Sequence, residues 1–160
     1  MRIESTRFGT LEASDESLVT FPDGLIGLPG TLYALISQRE DSPFLWLQSV
    51  DEPWLALPVT TPWLFFPSYE VRVPDEDQRR LEIERPEDAT ILCVVRAAER
   101  LEDFTANLIG PIVISRATRK ARQIINEAGG YTVRQPLFTE VELSDARDAA
   151  AHVPVQATAV

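Results

Sequence analysis

PFLWLQSVDEPWLALPVTTPWLFFPSY, residues 43–69, decides the fold. It holds all three tryptophans, Trp46, Trp54 and Trp63, together with Phe44, Phe65, Phe66 and Tyr69. Seven of the chain's 13 aromatic residues therefore fall within 27 positions. Such side chains bury large areas and dominate the energetics of cores and interfaces. The stretch is not one helix, because Pro53, Pro58, Pro62 and Pro67 would each remove a backbone donor and clash with the preceding turn. It reads as short strands joined by tight turns: a strand over 44–50, the turn Asp51-Glu52-Pro53, and a return over 54–60. Pro58 has no amide hydrogen to give to a ladder, which places it at an edge or a bulge. Residues 63–66 are apolar on both faces, more than a strand with one wet face requires. Most of these aromatics read as core. A few would line an exposed groove for a partner, since aromatics are enriched at interface centres.

The rest of the composition narrows the function. A chain of 160 residues suits one domain, which buries roughly 70% of its unfolded surface. Its 25 acids against 15 bases give a formal net charge of −10. That balance argues against a general nucleic-acid binder or a binder of anionic membranes, which need a positive surface. It favours encounter with basic partners, with a strong salt dependence. The single cysteine, Cys93, allows no intrachain disulfide. It lies in the apolar run 91–95 and reads as a small buried hydrophobe. The N-terminus, MRIESTRFG, lacks the apolar core of a signal peptide. Uninterrupted apolar runs fall far short of the ~18 residues that span a bilayer. The expectation is a soluble, cytoplasmic protein.

Outward from the aromatic stretch, the pattern stays β. Residues 2–7 and 10–13 flank Phe8-Gly9 as a hairpin. Residues 18–21 form a short strand that ends at the turn Pro22-Asp23-Gly24. Gly24-Leu25-Ile26-Gly27-Leu28-Pro29-Gly30 lacks the spacing of a dinucleotide-binding loop and reads as a bend. Residues 31–37 are another strand. After Pro67, Tyr69, Val71 and Val73 alternate with Glu70 and Arg72, the mark of a half-buried strand. Pro74 stops it. Asp75 with Gln78 three residues on gives a capping-box-like start to a short helix through Leu81. Asp75, Glu76 and Asp77 suit its positive end.

Two buried strands follow, over 90–98 and 104–115, the second bent at Gly110-Pro111. RATRKAR, residues 116–122, is a short cationic turn with no aromatic interleaved for base stacking. Residues 123–126 continue as helix or strand, and 131–134 form a last strand. Residues 139–160, rich in alanine and acids, read as a disordered or loosely helical tail. About ten short strands and one short helix suggest a mostly β domain, an antiparallel barrel or sandwich.

Catalytic chemistry has little to build on. The only histidine, His152, lies in the tail, so no Ser-His or Cys-His pair is fixed in the domain. Metal-binding and phosphate-loop motifs are missing from the sequence. Consecutive acids at 75–77 point in different directions on a helix and lack calcium-loop spacing. No cofactor, no metal and no enzymatic activity are expected.

With these residues laid out, the chain resembles the flagellar assembly factor FliW family. The matching stretches are FPDGLIGL (21–28), DSPFLWLQS (41–49) and LFFP (64–67) with Tyr69. Further matches are TANL (105–108) with PIVI (111–114), and Tyr131-Thr132 with Arg134 and Pro136-Leu137. They run in register over residues 1–138, departing at Trp63 and Gln135, and the tail reads as an addition beyond the shared region. The resemblance implies a β-barrel-like fold, no catalysis and two protein partners: flagellin before export, and CsrA, a dimeric RNA-binding translational repressor. In this family FliW relieves repression by CsrA, and accumulating flagellin draws FliW away, so that it serves flagellin as a chaperone.

The expected CsrA-facing surface is Tyr69, Glu70, Asp75, Glu76 and Asp77, where negative charge is dense beside the LFFP motif. Flagellin needs an apolar site, for which Leu25, Ile26, Phe65 and Phe66 are the candidates. The protein is expected to be a monomer without direct nucleic-acid or membrane binding. The rival reading is a small-ligand or carbohydrate-binding barrel with tryptophans lining its pocket.

Overall fold

The computed structural model describes residues 1–138. The predicted tail over 139–160 and His152 lie outside the described residues. The chain opens with a separate hairpin, β1 (Arg2–Ser5) and β2 (Gly9–Glu12). A meander follows: β3 (Leu18–Thr20), β4 (Leu32–Ile36), β5 (Phe44–Ser49) and β6 (Ala56–Thr60). One short helix, α1 (Asp75–Arg80), precedes the long strand β7 (Ala89–Arg96). The described chain ends through β8 (Thr105–Ala106), β9 (Ile112–Ser115), β10 (Ala121–Gln123) and β11 (Gln135–Pro136). Every ladder is antiparallel, and the main sheet runs β10-β9-β7-β6-β5-β4-β3, with β8 and β11 beside the end of β7.

The sheet curls until its ends meet. Thr20 of β3 bridges Lys120 next to β10, and the Thr20 N–H donates to the Arg119 carbonyl at 3.0 Å. That single bridge is the whole closure among the described residues, so the architecture is barrel-like without a continuous closing ladder.

β5 and β7 are covered on both faces, which explains their unbroken apolar sequences. Leu47 and Leu92 point into one core with Val19, Phe21 and Tyr33. Phe44, Cys93 and Val95 point into a second with Tyr69, Phe104 and Leu137. Burying each side chain of Phe or Leu size contributes about 1.5–3 kcal/mol. Trp46 lies beneath the N-terminal hairpin, its ring against Phe8 and under the Arg7 guanidinium. A third cluster, Leu81, Ile83, Val113 and Ile124, seats α1 on the sheet. Cys93 is fully buried, as its apolar run predicts. Pro58 faces Trp46 in the β5–β6 register, and pairing of β6 to β7 is confined to Val59 and Thr60. Its missing donor thus costs no bond to β7.

Several expectations are corrected. Residues 62–64 form a 3-10 turn rather than a strand, with Pro62 in the first turn where its missing amide is harmless. Residues 69–73 alternate in burial but join no ladder. Side chains satisfy their backbone instead: the Glu70 N–H donates to the Tyr131 hydroxyl at 2.8 Å, and the Arg72 N–H to Asn126 Oδ1 at 2.9 Å. α1 has no capping box at Asp75. Pro74 is the N-cap, and Gln78 Nε2 donates to the Val73 carbonyl at 2.9 Å. The strand expected over 104–115 is split into β8 and β9 at the predicted bend. A Cβ on Gly110 would stand 3.0 Å from Asn107 Nδ2, whose side-chain oxygen accepts the Gly110 N–H. The last strand lies at 135–136, not 131–134, because only Gln135 and Pro136 reach β8.

Candidate functional site

The residues expected to form one acidic surface divide by environment. Tyr69 is 4% exposed. Its hydroxyl donates to the Leu108 carbonyl at 2.6 Å and accepts from Asn126 Nδ2 at 3.2 Å. It is an anchor rather than a contact. Burial, and then the neighbouring Cys93, raise its pKa above the usual tyrosine value. Glu70, the next residue, is exposed. Asn126 Nδ2 holds its carbonyl at 2.8 Å, so a rigid backbone presents its carboxylate to solvent.

Asp75 is also exposed, and neither it nor Glu70 makes an ion pair among the described residues. Glu76 and Asp77 are partnered. Glu76 pairs with Arg80 one turn on, at 2.8 Å. Asp77 Oδ1 lies 2.6 Å from Arg122 Nε, and their side chains are 13% and 25% exposed. Asp23 takes the other side of Arg122 and stands 3.7 Å from Arg80. A continuous network, Glu76–Arg80–Asp23–Arg122–Asp77, thereby fastens α1 to the turn after β3 and to β10. Sequence reading missed it. Asp23 registered only as a turn residue, Arg122 only as the end of a cationic run, and nothing in their spacing pairs them.

The apolar candidates also divide. Leu25 is 5% exposed and Ile26 72%. The Leu28 N–H donates to the Leu25 carbonyl at 3.1 Å, with Gly27 at φ +76°. This tight turn folds Leu25 under and thrusts Ile26 out. Around it runs a shallow groove lined by Leu28, Leu57, Val94 and Val133, with Arg96 and Arg134 beside them. Phe65 and Phe66 are half-buried. Phe65 stacks on Phe44 at 5.7 Å and meets the edge of Phe138 at 5.6 Å. Leu64 beside them is exposed, as is Trp63, whose Nε1 donates to the Tyr69 carbonyl at 2.8 Å.

The three tryptophans have different surroundings. Trp46 is buried, Trp54 points outward with its Nε1 on Glu52, and Trp63 borders a groove by Val71. They do not form the shared concave lining that the ligand-binding barrel needs. RATRKAR turns the corner between β9 and β10 at the seam, with Arg119 on the Leu18 carbonyl and Arg122 between two carboxylates. No cluster of three or more potential metal ligands occurs among the described residues.

A mostly antiparallel, nearly closed sheet with one helix on its outside matches a solved fold. The crystal structure of a flagellar assembly factor FliW superposes with a TM-score of 0.79 at 32% identity, covering 88% of this chain and 99% of that one. The sequence profile of the family described as FliW protein matches residues 2–137. The chain belongs to the FliW family. Relatives include the flagellar assembly factor FliW of Magnetococcus marinus, 39% identical over 152 residues, which cover 94% of this chain and 93% of that one. That of Desulfitobacterium hafniense (strain Y51) is 36% identical over 146 residues, covering 91% and 96%. FliW proteins are flagellar assembly factors, and no described helix of this one is long and apolar enough to cross a membrane.

Proposed function

We propose that this FliW-family protein acts without catalysis, as a cytoplasmic binder of flagellin and an antagonist of the translational repressor CsrA. In this reading it couples flagellin synthesis to flagellar assembly. The observation that carries the reading is the pair of exposed carboxylates without an ion pair among the described residues, Glu70 and Asp75, of which Glu70 follows Tyr69, whose carbonyl holds the exposed Trp63. A negative wall of this kind attracts the basic surface of an RNA-binding protein and repels RNA phosphates, so FliW need not occupy the RNA site. Weakening of RNA binding by FliW, and of FliW binding by RNA, then follow together from linkage. Glu70, Asp75 and the rim of Glu76 are the contacts proposed for CsrA, with Asp77 and Tyr69 holding them in place. Ile26 and the Phe65-Phe66 pair are the contacts proposed for flagellin.

Titration of CsrA with the triple variant Glu70→Lys, Asp75→Lys, Glu76→Lys tests the first assignment. Affinity at low salt is expected to fall about tenfold or more, with a flatter salt dependence. Unchanged affinity and slope would refute it. For flagellin, Ile26→Asp should weaken capture without unfolding the protein, because Ile26 is already in water.

A further inference from the structure

Residues 69–73 are tied down along one side only. The Glu70 and Arg72 N–H groups donate to Tyr131 and Asn126. The Glu70 carbonyl accepts from Asn126 Nδ2, and the Arg72 carbonyl from the Glu127 N–H at 3.3 Å. Along an extended chain successive residues direct their backbone groups to opposite sides, so the odd-numbered residues turn away from Asn126. The Tyr69 carbonyl accepts there from Trp63 Nε1, and the Val73 carbonyl from Gln78 Nε2. Between them, the Val71 N–H and carbonyl and the Val73 N–H have no hydrogen bond among the described residues.

Trp63, Val71, Val73 and Gln78 all line one groove, of about 630 Å³. Ile91 of β7 lines it too. The Arg116 N–H donates to the Asp88 carbonyl at 2.9 Å, so Thr90 and Leu92 are the residues bonded to β9 and the Ile91 groups turn the other way. On that side β6 ends at Thr60, opposite Cys93. The Ile91 N–H and carbonyl have no hydrogen bond among the described residues. Half-buried Val71, Val73 and Ile91, with Ile83, make the groove's apolar floor. Exposed Arg72, Arg85 and Arg116 line it as well, against a single acid, Glu84, among the described residues. Arg85 meets carboxylates only at 3.9 Å, and Arg72 and Arg116 have no ion pair among the described residues.

Each feature specifies part of an occupant. Unbonded donors and acceptors on two segments call for another backbone. The floor calls for apolar side chains at every second position. Three loosely held arginines, in a chain of net charge −10, call for acids between them. We propose that this groove binds an extended acidic segment of another protein, through hydrogen bonds to the Val71 and Ile91 backbone. A nucleic acid carries the charge but lacks amides at strand spacing, and it meets a chain of its own sign. Neither Glu70 nor Asp75 lines the groove, so the inference stands apart from the partner assignments above.

The probe is a synthetic peptide, acetyl-Ser-Glu-Val-Glu-Val-Glu-Ser-amide, titrated into the full chain at low salt and followed by NMR. The Val71, Val73 and Ile91 amides are expected to shift, and at saturation to exchange about tenfold or more slowly. Leu92, bonded to β9, is the control and keeps its exchange rate. The same peptide with lysine in place of glutamate should bind at least about tenfold more weakly, and Arg72→Glu with Arg116→Glu should reverse that preference. Val71→Pro removes an amide that has no partner in the fold, and it should weaken the glutamate peptide likewise. Unmoved Val71 and Ile91 amides, or equal affinity for the two peptides, overturn the proposal. An oligouridylate that binds at these residues more tightly than the peptide overturns it in favour of RNA. Protection of Ile91 that rises with protein concentration, without peptide, overturns it in favour of a second copy.

Discussion

Glu70 and Asp77 belong to one acid-rich segment and end in opposite electrostatic situations. Glu70 stands on a backbone pinned by Tyr131 and Asn126, with its carboxylate in water. Asp77 is almost covered and is held by Arg122. The difference teaches that negative charge in a sequence is not yet a negative surface. Asp23 and Asp77, with two arginines, form a clamp that holds the helix. Glu70 and Asp75 are left to face a partner.

The most direct way to break this comparison is to remove the anchor next to Glu70. Tyr69→Ala is expected to cost about 3–5 kcal/mol, as truncation of a buried aromatic does, read from urea unfolding. Tyr69→Phe, which keeps the ring and strands the Leu108 carbonyl, should cost about 1–3 kcal/mol. A Tyr69→Ala variant of native stability would refute the anchoring role.

The clamp comes next. Arg122→Met should destabilise by about 1–3 kcal/mol, because it leaves Asp77 nearly buried without its counter-charge. Arg80→Met, whose partners are exposed, should cost under about 1 kcal/mol. Equal losses in the two variants would erase the distinction drawn between them.

Alkaline pH gives a smaller, graded effect. Burial pushes the Cys93 thiol from its ordinary 9.0 up to about 12, although a hydrogen bond with Tyr69 works the other way. Both groups are held neutral in the fold and ionise more readily when unfolded. The stability they contribute is therefore intact below pH 9 and declines as pH rises from 9 towards 12. The urea midpoint should follow that course, with a shallower decline in Cys93→Ala. The smallest effect on stability, within about 0.5 kcal/mol, is expected for Glu70→Lys with Asp75→Lys. The binding titration proposed above is where those two residues should register.

Much of the scaffold was legible. Hydrophobic runs and turn residues located β3, β4, β5 and β7 to within a residue or two, because these strands answer to local patterns. The same reasoning failed at 69–73 and 131–134. Alternation reports which side chains face inward, and it does so correctly at Tyr69 and Val71. It says nothing about what bonds the backbone, and Asn126 and Tyr131 do that from far along the chain. The Arg122 network was hidden for the same reason. Its members come from three separated elements that share no period.

The sequence by itself determined an antiparallel β protein, since proline placement, turn residues and apolar periodicity act between near neighbours, and its motifs carry the likeness to the FliW family. Tertiary structure alone decided which acids are spent on holding α1 and which face outward. It also decided that β6 meets β7 only through Val59 and Thr60. Ion pairing and strand coverage depend on distances through space, and the curl of the sheet sets those.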